Sequence, residues 1–290
     1  MGGSFSSRPP PPSPLLSAPW RRINWSDNHS TLQYVKAYQP ETEDQVIRIL
    51  LHGLVGSGKS SFINSVESVL RNRMCIPALV GNATQDCFTR EYKTYTFKTG
   101  NQGTFPFVIN DIIGLKNNCS RGNRNNHVKD VKRVMKGHVK DGYIVNPNAK
   151  ISKDDRFYKP TPSANDKVHV LVFVIDANKW SLMNEKALEA LDDIRDEAKL
   201  LDIPQVAILT KIDEVCPEIQ KDIKNVYKSK ELKEKMEKVS GAVGVPMNCI
   251  FPVKNYSKEL DLDSDTDALI LSALKPILDF GNDHLNKRYA

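Results

Sequence analysis

The chain has 290 residues, 40% of them hydrophobic, enough for one α/β domain with flanking segments or at most two small domains. Its formal charge of +6 arises from 41 basic residues interspersed among 35 acidic ones, not from one basic block, so nucleic acid is not expected as the main partner. Five cysteines (Cys75, Cys87, Cys119, Cys216 and Cys249) are odd in number, widely spaced and without a C-x-x-C pair, so neither a disulfide framework nor a zinc site is indicated.

No apolar run approaches the ~18 residues needed to cross a bilayer, and the N-terminus lacks the charged-then-apolar order of a secretory signal. A cytoplasmic, reducing location is the expectation. Residues 1–44 carry Pro9 to Pro12 and Pro14 among Ser and Gly, without apolar periodicity, and read as a proline-rich, largely disordered segment on which Trp20 and Trp25 alone would dock. Met1-Gly2-Gly3-Ser4-Phe5-Ser6 matches M-G-x-x-x-[ST], which would make Gly2 a myristoyl acceptor, although so short a pattern also arises by chance. A single such chain gives membrane contact that is weak and reversible, on the order of 10⁴ M⁻¹. Arg8-Pro9-Pro10-Pro11-Pro12-Ser13-Pro14 fits either an SH3 ligand in a polyproline II helix or an unliganded linker.

Residues 45–288 read as a single nucleotide-binding domain. Strands are expected at 46–52, 91–98, 105–110, 168–175, 205–209 and 249–253, and helices at 60–71, 185–200, 221–239 and 266–285, the last kinked or divided at Pro276. Short all-apolar strands alternating with helices predict an α/β fold with a mostly parallel sheet and helices on both faces. The stretch around 116–166 is longer than one helix and two loops require and reads as an insertion, with a basic helix over 127–139 and then a long polar surface loop.

Gly53-Leu54-Val55-Gly56-Ser57-Gly58-Lys59-Ser60 is a full G-x-x-x-x-G-K-[ST] match between an expected strand and helix. Such a loop lets successive main-chain N–H groups, here over Val55, Gly56, Ser57, Gly58 and on to Ser61, converge on a phosphate, with glycine where a side chain would collide. Lys59 would lie against the β- and γ-phosphates and the Ser60 hydroxyl would be a Mg²⁺ ligand. Asp111-Ile112-Ile113-Gly114, after the third strand, reads as D-x-x-G: Asp111 reaches Mg²⁺ through a water, and the Gly114 N–H meets the γ-phosphate. Thr210-Lys211-Ile212-Asp213 corresponds to the N/T-K-x-D base-recognition motif, in which the Asp213 carboxylate accepts from both guanine N1–H and its 2-amino group. Three ordered motifs on three strand ends define a P-loop NTPase of the Ras-like G-domain class with GTP or GDP and Mg²⁺ as ligands. A switch threonine that would close on Mg²⁺ has two candidates, Thr84 and Thr89; Thr89, just before the second strand, is preferred. Val253-Lys254-Asn255 stands where G domains use a short loop to touch the base.

With these residues in hand, the chain resembles the interferon-induced protein 44 and 44-like family of vertebrates over roughly residues 19–285. The resemblance is carried by Pro19-Trp20-Arg21-Arg22-Ile23-Asn24-Trp25, Ile49-Leu50-Leu51-His52-Gly53, Thr89-Arg90-Glu91-Tyr92-Lys93-Thr94-Tyr95 and Lys136-Gly137-His138-Val139-Lys140-Asp141-Gly142-Tyr143, together with the three nucleotide motifs. It implies an interferon-induced cytosolic protein of antiviral innate immunity with a guanine-nucleotide-binding domain. Longer members carry an N-terminal TLDc domain; a proline-rich lead stands in its place here.

Position 115 is leucine where Ras-like enzymes place a glutamine that orients the attacking water. Another residue, a protein partner or the second copy of a homodimer would have to place that water, and no catalytic residue can be picked out. A slow GTPase switch or nucleotide-stabilised scaffold is therefore expected before an efficient hydrolase; an ATP-dependent P-loop enzyme and an adaptor without meaningful hydrolysis are the alternatives.

Overall fold

The computed structural model describes residues 13–41, 44–79, 91–100 and 103–289. Gly2, the pattern from Arg8 through Pro12, Thr84 and Thr89 lie outside the described residues. In chain order the elements are α1 (Asn28–Ala37), β1 (Ile47–His52), α2 (Lys59–Arg71), β2 (Glu91–Lys98), β3 (Thr104–Asp111), α3 (Arg121–Met135), β4 (Tyr143–Ile144), β5 (Val170–Asp176), α4 (Glu185–Leu200), β6 (Gln205–Thr210), α5 (Pro217–Lys221), α6 (Lys230–Val243), β7 (Ile250–Val253) and α7 (Ser264–Tyr289).

The strands form one sheet in the order β4-β2-β3-β1-β5-β6-β7. β1 is parallel to β3 and β5, and β5-β6-β7 continue in parallel, whereas β2 runs antiparallel to β3, and β4 antiparallel to β2. Successive strand side chains point to opposite faces, and this divides the core in two. Ile47, Ile49, Leu51, Val170, Val172 and Val174 pack with α1, α2 and α7; Leu50, Leu171, Phe173 and Ile175 pack with α3, α4 and α6. Strand order reverses at β1, whose neighbours β3 and β5 come from opposite directions, and in open α/β sheets ligands bind at that point beyond the strands' C-terminal ends.

The structure departs from the sequence reading in the N-terminal lead. Residues 13–41 are packed onto the domain rather than disordered. Leu16 and Trp20 donate main-chain N–H groups to Lys228 and Tyr227 carbonyls at 2.8 and 3.0 Å, and the Arg21 guanidinium donates to the Ile250 carbonyl at 2.7 Å. Helix α1, capped by the Asp27 carboxylate, lies on α7, where the Tyr34 and Tyr38 hydroxyls donate to Asp279 and Asn282 at 2.6 and 2.8 Å. Val35 is fully buried in the core on this side with Leu32 packed against it, and the two tyrosines add their hydrogen-bonded tips.

The insertion differs as well. Helix α3 begins at Arg121 because the Ser120 hydroxyl caps it, accepting from the Asn123 N–H at 3.2 Å, and it ends at Gly137, whose φ is 81°. The segment beyond Gly137 is anchored and is not a free surface loop: the buried Asp130 carboxylate accepts from the Tyr143 hydroxyl at 2.9 Å and the Ile151 N–H at 2.8 Å. The expected 221–239 helix is two helices, since Pro217 opens α5 and the Ser229 hydroxyl caps α6. Pro276 does not divide α7. Among the described residues no helix is long and apolar enough to cross a membrane.

Candidate functional site

The loop between β1 and α2 crosses the sheet's switch point. Gly58 precedes the helix with φ 97°, left-handed backbone open to glycine at little cost, and no side chain caps α2. The first-turn N–H groups of Lys59, Ser60 and Ser61 have no intrahelical acceptor and face the loop with the helix dipole behind them, the usual anion geometry. Lys59 is buried and its Nζ lies 3.3 Å from the Leu54 carbonyl, folded back over the loop. Two N–H groups of the loop are already used: Ser57 N–H donates to the Leu54 carbonyl at 3.2 Å and Val55 N–H to the Leu115 carbonyl at 3.1 Å. Val55 and Ser57 therefore shape the loop.

Asp111 ends β3 directly beside Leu51 of β1 and is fully buried. The Ser60 hydroxyl donates to its Oδ2 at 2.9 Å, so one hydroxyl and one carboxylate oxygen converge at the start of α2. Two oxygen donors beside a phosphate cradle suit Mg²⁺, which takes few protein ligands and completes its shell with phosphate and water. Gly114 packs on the P-loop so closely that a Cβ there would come within 2.6 Å of the Val55 nitrogen. Leu115 donates its N–H to the Gly53 carbonyl at 3.0 Å, and its side chain is buried in the core on the α3 side.

Thr210 ends β6, and its buried hydroxyl contacts two carbonyls, donating to Ser57 at 2.6 Å with Ile175 at 3.2 Å. The residue that replaces the commoner asparagine thus ties the base loop to the phosphate loop. Lys211 follows in left-handed conformation, φ 57°, and its ammonium pairs with Asp176, the last residue of β5, at 2.6 Å. Asp213 is half-buried in the helical turn that comes next. At the end of β7 and just past it the three expected positions separate. The Val253 side chain is fully buried in the core, and the Lys254 ammonium pairs with Glu259 at 2.9 Å. Asn255 alone reaches the cradle, with Nδ2 3.4 Å from the Gly58 carbonyl and a buried Oδ1 that has no hydrogen-bond partner.

Sequence reasoning missed Asp176, whose place at a strand end was the available signal, and also a histidine pair. His52, the residue before Gly53, and His127 on α3 bring their Nε2 atoms to 2.9 Å, both rings buried. Burial pushes His52 well below the usual imidazole range, helped by His127 and the Lys59 charge. Burial and then Lys59 push His127 down to about 4. Both rings are neutral near pH 7, so one nitrogen donates to the other. Nothing in a motif search joins residues 52 and 127.

A glycine-rich loop at the switch point of a mostly parallel sheet, with an acidic strand end on one side and a Thr-Lys-x-Asp loop on the other, defines a P-loop protein of the Ras-like G-domain class. A solved structure of Toc33 from Arabidopsis thaliana, a dimerisation-deficient variant, shares this fold with a TM-score of 0.52 at 14% identity, covering 89% of this chain and 93% of that one. No protein-family model matches the chain. The chain is 34% identical over 260 residues to interferon-induced protein 44 of Mus musculus and 33% over 258 residues to that of Homo sapiens, with 32% over 253 residues to interferon-induced protein 44-like of Homo sapiens. These alignments cover 89, 88 and 87% of this chain and 60, 57 and 55% of the relatives' own length. Over that shared region the chain belongs to the interferon-induced protein 44 and 44-like family.

Proposed function

We propose that the chain binds guanine nucleotide with Mg²⁺ and acts in the interferon-induced antiviral response as a slow GTPase switch or a nucleotide-stabilised scaffold in the cytoplasm. The observation that carries this reading is the Thr210 hydroxyl on the Ser57 carbonyl, which makes the loop bearing Asp213 and the loop bearing Lys59 one unit. One nucleotide then spans both, its phosphates on the α2 N-terminus and its base against Asp213. Ser60 and Asp111 would hold Mg²⁺, with Thr89 as the expected third residue; the ion neutralises charge between the β- and γ-phosphates. Slow turnover is supported by Leu115, which is chemically unable to orient a water and whose side chain is buried in the core. A protein partner or a second copy would then place the water. The antiviral setting rests on the family relation, and the relatives are longer than this chain.

Lys59→Ala tests the cradle: it should weaken GDP binding roughly 10- to 100-fold in calorimetry, the worth of one charge-assisted contact. Unchanged affinity, or ATP competing as well as GTP for the wild-type protein, would overturn the reading.

A further inference from the structure

At the end of α2 remote from the phosphate loop, a cavity of about 400 Å³ is lined by Lys36, Arg71, Arg73 and Lys98 around the apolar side chains of Leu70 and Phe105. These cations come from separate elements: Lys36 from the last turn of α1, Arg71 from the last turn of α2, Arg73 from the residues just beyond it, and Lys98 from the end of β2. Among the described residues no carboxylate lines the cavity, and Glu67, the acidic neighbour, is paired with Arg71.

Lys36 and Arg71 have a structural reason to be basic, since helix C-termini favour cations. Arg73 follows the α2 C-cap and donates to the Met74 carbonyl at 3.3 Å, and Lys98 lies in no helix; neither makes an ion pair among the described residues. With Arg71 paired to Glu67, Lys36, Arg73 and Lys98 are left as like charges around one concavity, and a multiply charged anion would relieve their repulsion. The floor adds a second requirement. Leu70 and Phe105 are 5 and 6% exposed, so they offer a small apolar base at the bottom of a cationic wall, with the Thr99 hydroxyl beside it.

The geometry points to a binding site for a small, multiply phosphorylated ligand of the phosphorylated-polyol class, carried free or as a lipid headgroup. The polyol ring rests on the apolar floor and the phosphates meet the four cations. The volume falls within the roughly 300–1,000 Å³ of small-molecule sites. A nucleic-acid strand would need a groove that follows its backbone, whereas these cations form one compact cluster. The site is independent of the nucleotide reading, because the two lie at opposite ends of α2.

Calorimetry of the whole chain with inositol hexakisphosphate, and co-sedimentation with vesicles containing phosphatidylinositol bisphosphate, test the proposal at about 0.15 M salt, where bare surface attraction is screened. Saturable binding is expected, and Arg73→Glu combined with Lys98→Glu should weaken it at least about tenfold. Both positions are exposed, so the melting curve should not move. Binding of the soluble probe identifies a free ligand, and binding of vesicles alone identifies a headgroup; either supports the site. It is overturned by no binding of either probe, equal binding by the double variant, or equal binding to phosphatidylserine vesicles of matched charge. Tighter binding of a single-stranded RNA than of either probe also overturns it.

Discussion

The Thr210 hydroxyl donates to the Ser57 carbonyl at 2.6 Å across 153 residues of sequence. Thr210→Val keeps the side-chain shape and removes the donor, leaving a buried carbonyl with one partner fewer, at a cost of about 1 kcal/mol. Because the bond joins the base loop to the phosphate loop, GDP affinity should fall about fivefold, more than the small loss of stability would explain. Calorimetry and a melting curve on the same sample decide it: lower stability with unchanged GDP affinity would show that the tie does not position nucleotide.

Asp213→Asn removes one of two acceptor oxygens and introduces a donor facing guanine donors. GDP affinity is expected to fall roughly 100-fold or more while the weak affinity for ADP barely changes, since adenine never used the pair. Equal losses for both bases would place the base elsewhere.

Leu115→Gln separates packing from catalysis. The leucine is 2% exposed and its main chain pairs with Gly53 and Val55, so the new amide would be buried without assigned partners, a cost of roughly 1–3 kcal/mol. The melting temperature should drop and turnover should not rise. Faster GTP hydrolysis by the variant would show that this side chain swings to the phosphates.

The strands were legible because a period of two, or a continuous apolar run, is imposed by the sheet whatever surrounds it, and the strand over residues 91–98 is bounded as read; the helix over residues 185–200 is too, from its helical spacing. The phosphate and base loops were legible because their residue types are dictated by local geometry. What escaped was held by long-range partners. Tyr34 helps to anchor α1 through Asp279 and the Lys275 ammonium over its ring, Arg21 crosses to Ile250, and Asp130 holds the insertion through Tyr143 and Ile151. None of these pairings leaves a local pattern. Lys254 and Val253 were placed by position in the chain alone, and their side chains turn to Glu259 and into the core.

The buried His52–His127 pair makes stability depend on pH. The ring of His127 titrates at about 4 in the folded protein, because burial and the Lys59 charge oppose its protonation, and His52 is lowered in the same direction. In the unfolded chain both return to about 6.5. Above that value both states are neutral and the pair contributes no pH dependence. Between about 6.5 and 4 the unfolded state binds more protons, so stability is lost as pH falls, on the order of 3 kcal/mol from His127 alone. The loss should strike near the nucleotide loop, since His52 is bonded to Gly53 and His127 ties α3 to it. Urea unfolding at several pH values from 7.5 to 4.5 would measure the slope, and His127→Gln should make it shallower while lowering stability at neutral pH. Equal slopes for wild type and variant would mean that the pair is not a source of the acid sensitivity.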